Sequence, residues 1–153
     1  MILPFIPSYV RTIWECTAIP ESKIVEVLRR NRYKVIPTHI NDGYDFFSYE
    51  PEDYDMTITN PPYSHKNEFL QRAFDLQKPF MFLLPITTLE TMKRHRLYRK
   101  HGIQLIIPDK RFVFKPGGSG AWFQTSWFTH GLNLEKDLNF IPIHSNYDTR
   151  QAA

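Results

Sequence analysis

Apolar residues along this chain alternate between two spacings. Short apolar or β-branched runs read as strands, and longer segments carry an apolar residue every three or four positions. Thr12 to Cys16 is the first short run. Glu21 to Asn31 places Ile24, Val25, Val27 and Leu28 near one face and charges elsewhere, which predicts an amphipathic helix. Lys34 to Thr38 predicts a second strand, set near a sheet edge by Pro37. Tyr54 to Thr59 predicts a third. Asn67 to Leu76, with Phe69, Leu70, Ala73, Phe74 and Leu76 at helical spacing, predicts the next helix. Phe80 to Leu84 is continuously apolar and ends at Pro85, the pattern of a strand buried on both faces. Thr87 or Thr88 is placed to cap a helix running to His101, with Gly102 as its stop. Ile103 to Ile107 predicts a strand, and Ala121 to Thr129, after the bend Gly117-Gly118-Ser119-Gly120, a last aromatic one. Alternation of this kind predicts an α/β fold: one doubly wound, mostly parallel sheet with helices on both faces. No repeat or linker divides the chain, so residues 1–153 are expected to form a single domain. Its core spans about 12–132, and a polar peripheral tail follows from Asn133.

Composition narrows the class. The 153 residues are 42% hydrophobic and 15% aromatic, enough for a real core. A formal charge of +3 permits a polyanionic partner without requiring one. The single Cys16 excludes an internal disulfide and a cysteine-based zinc site and points to a reducing compartment. The six histidines show no metal-binding spacing. Met1 to Pro7 has no basic flank and its prolines interrupt the apolar run, so no secretory signal is expected. No apolar stretch approaches the roughly 20 residues that span a bilayer, so no membrane partner is expected.

The chemistry concentrates after the third predicted strand, at Asn60-Pro61-Pro62-Tyr63. Two prolines cannot continue a strand in a sheet interior, so the chain must leave the sheet at Asn60. A stiff loop at the carboxyl end of a strand lies where open α/β sheets bind ligands. The Asn60 side-chain oxygen and the Pro61 carbonyl can accept hydrogen bonds from an exocyclic amine, and Tyr63 can stack on the ring that bears it. Taken alone, the four residues are also compatible with a proline-stiffened turn of no chemical consequence.

Asp55 to Tyr63 resembles the Asp/Asn/Ser-Pro-Pro-Tyr/Phe motif of S-adenosylmethionine-dependent amino-methyltransferases, and most of all the short, phage-type adenine-N6 DNA methyltransferases. The resemblance runs from about Ile13 to Leu132. It implies a Rossmann-like methyltransferase fold of about seven strands, one antiparallel, with S-adenosylmethionine as cofactor and adenine in DNA as acceptor. It also implies the cytoplasm of a bacterial or phage-infected cell. Asn60, Pro61, Pro62 and Tyr63 would then be catalytic, and Glu15, at the end of the first strand, would hold the cofactor. Asp45 would accept from the cofactor's adenine amine, and Phe46 would pack on its ring.

Two departures from that pattern stand out. The turn after Glu15, Cys16-Thr17-Ala18-Ile19-Pro20-Glu21-Ser22, lacks the family's glycines, so Ile19-Pro20 should crowd the ligand near Thr17 or force another loop shape. His39 stands where a carboxylate would clamp two ribose hydroxyls. A cofactor-free protein on the same scaffold, binding nucleic acid or blocking a protein partner, is therefore the alternative, and RNA or a free nucleotide is an alternative acceptor. With little room for a target-recognition domain, sequence choice would fall to short loops or to a second subunit in a homo-oligomer.

Other features are less specific. Gly117-Gly118-Ser119-Gly120 lacks the lysine and helix of a phosphate loop. Lys93 and Arg94, within a basic helix, form either a solvated face or a phosphate-contacting patch. Lys110 and Arg111 are similar candidates. Trp122, Phe123, Trp127 and Phe128 read mostly as core.

Overall fold

The computed structural model describes residues 1–112 and 123–143. Seven strands form one sheet: β1 Thr12–Glu15, β2 Lys34–Pro37, β3 Met56–Thr59, β4 Phe80–Pro85, β5 Gln104–Pro108, β6 Thr125–His130 and β7 Leu138–Ile141. Their order is β2-β1-β3-β4-β6-β5-β7. β6 runs antiparallel to both β4 and β5, and every other neighbouring pair is parallel. This is the predicted doubly wound, mostly parallel sheet with one antiparallel strand.

Alternation along the strands sorts side chains onto two faces. Ile13, Met56, Ile58, Met81 and Leu83 point to one face and pack with Val25 and Leu28 of helix α1, Lys23–Arg30, and with Ile2, Ile6 and Val10 of the amino-terminal segment. Trp14, Phe80, Phe82 and Leu84 point to the other. There they meet Phe69, Leu70, Ala73 and Phe74 of α2, Lys66–Asp75, and Leu97 of α3, Met92–His101. Each such fully buried side chain contributes roughly 1.5–3 kcal/mol by leaving water.

Local signals explain the helix ends. Ser22 caps α1, its Oγ accepting from the Val25 N–H at 3.3 Å. Gly102 ends α3 at φ +78, a conformation that suits a residue without Cβ.

Two expectations are corrected. The helix predicted from Thr87 or Thr88 is a 3-10 turn at Ile86–Leu89, then a break at Thr91 (φ +79), then α3. The polar tail is not wholly peripheral, because Leu138–Ile141 adds β7 in parallel to β5. The last aromatic strand begins at Thr125, and Trp127 and Phe128 are buried. Gly117 to Gly120 and Trp122 lie outside the described residues. Among those described, no helix is long and apolar enough to cross a membrane, and no cluster of three potential ligands forms a metal site.

Candidate functional site

Chain direction sets where the crevice opens. From β1 the chain steps outward to β2, then returns to place β3 on the other side of β1. The carboxyl ends of β1 and β3 therefore flank the switch point, the place where connections diverge to opposite sides and leave a gap. A cavity of about 610 Å³ lies there. Cys16 and Thr17 from the end of β1, His39 and Ile40 from the end of β2, and Asn60 and Pro62 from the end of β3 all line it. Tyr44, Asp45, Phe46, Phe47, His65 and Phe69 complete the wall. Six of the predicted residues thus meet at one cavity: Thr17, His39, Asp45, Phe46, Asn60 and Pro62.

The β3 side presents an acceptor with no partner. Asn60 Oδ1 is buried and makes no hydrogen bond among the described residues. Desolvating such an oxygen without a donor costs on the order of 1–3 kcal/mol, a deficit that a ligand N–H would remove. Pro61 is buried and Pro62 exposed, and a 3-10 turn at Tyr63–His65 carries the chain into α2. Lys66 Nζ donates to the Tyr63 carbonyl at 3.1 Å, which steadies that turn. Tyr63 does not line the cavity. Its half-buried ring stands edge-on to Phe123 at 5.8 Å, its hydroxyl has no partner among the described residues, and burial pushes its pKa up to about 12.

The β1 side is the opposite case. Glu15 is buried and stands behind the cavity wall. Its Oε1 accepts from Thr59 Oγ1 at 2.5 Å and from the Thr17 N–H at 3.1 Å, and its Oε2 accepts from Ser22 Oγ at 3.1 Å. Burial raises its pKa against the pull of these donors. The carboxylate expected to grip a cofactor is instead satisfied from within. Ile19 and Pro20 are exposed and do not enter the cavity, so the glycine-poor turn takes the other loop shape. The Ala18 N–H donates to the Thr38 carbonyl at 2.9 Å, which ties the turn to the end of β2.

The remaining wall is aromatic with two polar points. His39 Nδ1 accepts from the Asn41 N–H at 3.1 Å, so the ring proton sits on Nε2 as a donor. Asp45 Oδ1 accepts from the Phe47 N–H at 3.0 Å, leaving Oδ2 for a ligand amine. Phe46 is 3% exposed and stacks on Phe69 at 4.7 Å and 5°, so its ring is chiefly core. The apolar surface open to a ligand belongs to the ring of its neighbour Phe47, 42% exposed, and to the aliphatic side chain of Ile40, 62% exposed. Large apolar residues in an otherwise polar loop were the signal for both.

The basic candidates separate. Arg94 is 5% exposed and tethers α3: Nε donates to the Thr88 carbonyl at 2.7 Å and NH1 to Asn67 Oδ1 at 2.6 Å. A guanidinium so committed is not free for phosphate, which removes Arg94 from the patch. Lys93, Lys110 and Arg111 are exposed.

No protein-family model matches the chain, and no curated protein matches it. Among solved structures, it is similar to a predicted O-methyltransferase from Agrobacterium tumefaciens, at 14% identity and a TM-score of 0.41 over 86% of this chain and 66% of that one. It is also similar to a putative methyltransferase from Thermoplasma acidophilum, at 13% identity and a TM-score of 0.39 over 85% of this chain and 60% of that one. The chain spans less than two thirds of the length of either structure. The fold assignment follows from this chain's own strand order, and the site from its own side chains.

Proposed function

We propose that this protein transfers a methyl group from S-adenosylmethionine to the exocyclic N6 amine of adenine in DNA. The observation that carries the reading is Asn60 Oδ1, without a partner among the described residues and buried beside a cavity at the switch point of the sheet. A cavity of about 610 Å³ suits a small-molecule cofactor. The donor set suits this one: Asp45 Oδ2 for an adenine amine, His39 Nε2–H for a ribose oxygen, and Ile40 and Phe47 for the ring faces. Bound there, S-adenosylmethionine supplies an electrophilic methyl group.

The protein's own contribution is position and electrostatics. An adenine amine is conjugated with its ring and is a poor nucleophile. Asn60 Oδ1 and the Pro61 carbonyl, by accepting its two protons, favour a tetrahedral nitrogen whose lone pair can attack. Tyr63 stacks on a base rotated out of the duplex. Exposed Lys93, Lys110 and Arg111 offer cations to the phosphate backbone.

Transfer of a radiolabelled methyl group from S-adenosylmethionine is the test. The acceptors are single-stranded and duplex DNA containing adenine, the same strands with purine in place of adenine, RNA, and free adenosine. The expected result is label in adenine-containing DNA alone, recovered as N6-methyladenine by mass spectrometry. Label in RNA or adenosine would move the acceptor. No transfer, with no cofactor binding by calorimetry, would replace this reading with the cofactor-free scaffold.

A further inference from the structure

A neutral aromatic amine that gains a methyl group becomes a cation and must lose one N–H proton. The nitrogen–carbon bond forms, the donor's sulfur–carbon bond breaks, and the proton needs an exit. We propose that Glu15 is the sink for that proton, reached from the cavity through the hydroxyls of Thr17 and Thr59. The proposal rests on the methyl-transfer reading above.

Proton counting gives the chain its direction. Thr59 Oγ1 is 2.5 Å from Glu15 Oε1, so with Glu15 ionised the Thr59 proton is committed to the carboxylate. The 2.6 Å contact between the Thr17 and Thr59 hydroxyls must then carry the Thr17 proton. Thr17 Oγ1 has none left for Glu15 Oε1 at 3.2 Å or for the Asn60 carbonyl at 3.3 Å. It can therefore accept from a donor in the cavity it lines with Asn60. Once the methyl group is on the nitrogen, one of the two N–H protons held by Asn60 and Pro61 leaves its acceptor for Thr17, directly or through one water, which moves the Thr17 proton to Thr59 and the Thr59 proton to Glu15. In the loaded state the chain points the other way. Glu15 donates to Thr59, Thr59 to Thr17, and Thr17 to the Asn60 carbonyl, so every hydroxyl proton has an acceptor in both states.

The surroundings suit a sink. Glu15 is 2% exposed and forms no ion pair among the described residues, so no fixed cation holds it ionised. Burial raises its pKa, which makes proton uptake easier. The titratable neighbour is the Cys16 thiol, pushed well up by its own burial and by Glu15, and thus neutral. Thr59 and Ser22 face Glu15 from β3 and from the cap of α1 with neutral hydroxyls.

The tests use methyl transfer to adenine-containing DNA with Thr59→Val, which keeps the shape and breaks the chain, and Thr59→Ser, which keeps the hydroxyl. The expected result is a kcat about 100-fold lower in Thr59→Val with KM for both substrates within about twofold, and recovery of rate and pH profile in Thr59→Ser. The wild-type kcat should fall as pH drops through the raised Glu15 pKa, and Glu15→Gln should lose that acid limb. A carbon-13 carboxyl titration reads the sink without turnover: the Glu15 midpoint should move up in Thr59→Val, which lacks a donor to the carboxylate. An active wild type with an unimpaired Thr59→Val, an unmoved midpoint, or an acid limb retained in Glu15→Gln overturns the relay alone. A wild type that methylates no acceptor overturns the relay together with the reading beneath it.

Discussion

The carboxyl ends of β3 and β1 flank one cavity and treat their oxygens in opposite ways. At β3, Asn60 Oδ1 is buried with nothing to accept from among the described residues. At β1, the Glu15 carboxylate is buried and accepts from Thr59, Thr17 and Ser22. An unsatisfied oxygen is a standing deficit that a ligand can remove, whereas a satisfied one does its work within the protein. The difference separates an oxygen without a donor among the described residues from one held by the chain's own hydroxyls and backbone. Function is therefore to be sought first at Asn60.

Asn60→Ala should give the largest effect, a loss in activity alone. Removing an electrostatic partner of the reacting group lowers rates by about 100-fold or more. Stability should not be lost: deleting an oxygen that is buried with no partner among the described residues should leave it level or raise it by up to about 1 kcal/mol. Methyl transfer and urea unfolding on the same preparation check this. A large loss of stability would mean that the Asn60 side chain is held by the protein itself, as the Glu15 carboxylate is, and the contrast would fail.

Arg94→Ala should show the reverse profile. Its guanidinium holds the Thr88 carbonyl and Asn67 Oδ1 in a buried position, so its loss should lower unfolding free energy by about 2–3 kcal/mol. Lys93→Ala, one residue earlier and exposed, should change it by less than about 0.5 kcal/mol. Equal effects in the two variants would sink the structural assignment of Arg94.

How much of this was legible depended on how local the cause was. Phe80 to Leu84 declared β4 through an unbroken apolar run, and the two prolines after Asn60 declared where β3 ends. β7 was hidden because Leu138-Asn139-Phe140-Ile141 is a weak pattern in a polar tail, and its strand character comes from pairing with β5. Arg94 looked like its basic neighbours, yet it precedes buried Leu97 by three positions and so shares its helix face. The same side chain bonds the Thr88 carbonyl of the 3-10 turn that precedes α3, a contact six positions away that a basic run does not announce. The Glu15 network could not be foreseen, since it joins Glu15 to Thr59, 44 positions apart.

The pH dependence of stability sharpens the β1 half of the comparison. Glu15's folded pKa is raised above its unfolded value near 4.5, so the folded state keeps a proton that the unfolded chain has already lost. Its contribution is most favourable below that unfolded value. It declines as pH rises toward the folded pKa, by no more than about 1.4 kcal/mol per pH unit for one proton, and is flat above. Urea unfolding across that window should show the decline in wild type and its removal in Glu15→Gln. A difference of the opposite sign would mean that the hydrogen bonds outweigh burial.

Tyr63→Phe should have the smallest effect, and it asks whether Asn60 is alone. The Tyr63 hydroxyl is also buried without a partner among the described residues, but its residue lies off the cavity wall and its ring packs on Phe123. If the ring alone matters, removing the hydroxyl deletes an unsatisfied group. Unfolding free energy should then stay level or rise by up to about 1 kcal/mol. Methyl transfer should remain within about threefold of wild type, since a phenyl face stacks as a phenol does. Tyr63→Ala, which removes the face itself, should lose far more. A Tyr63→Phe rate as low as that of Asn60→Ala would mean that the hydroxyl turns toward the base when substrate binds. The β3 end would then hold two orphaned groups with one purpose, and its contrast with β1 would be wider than the hydrogen bonds within the protein show.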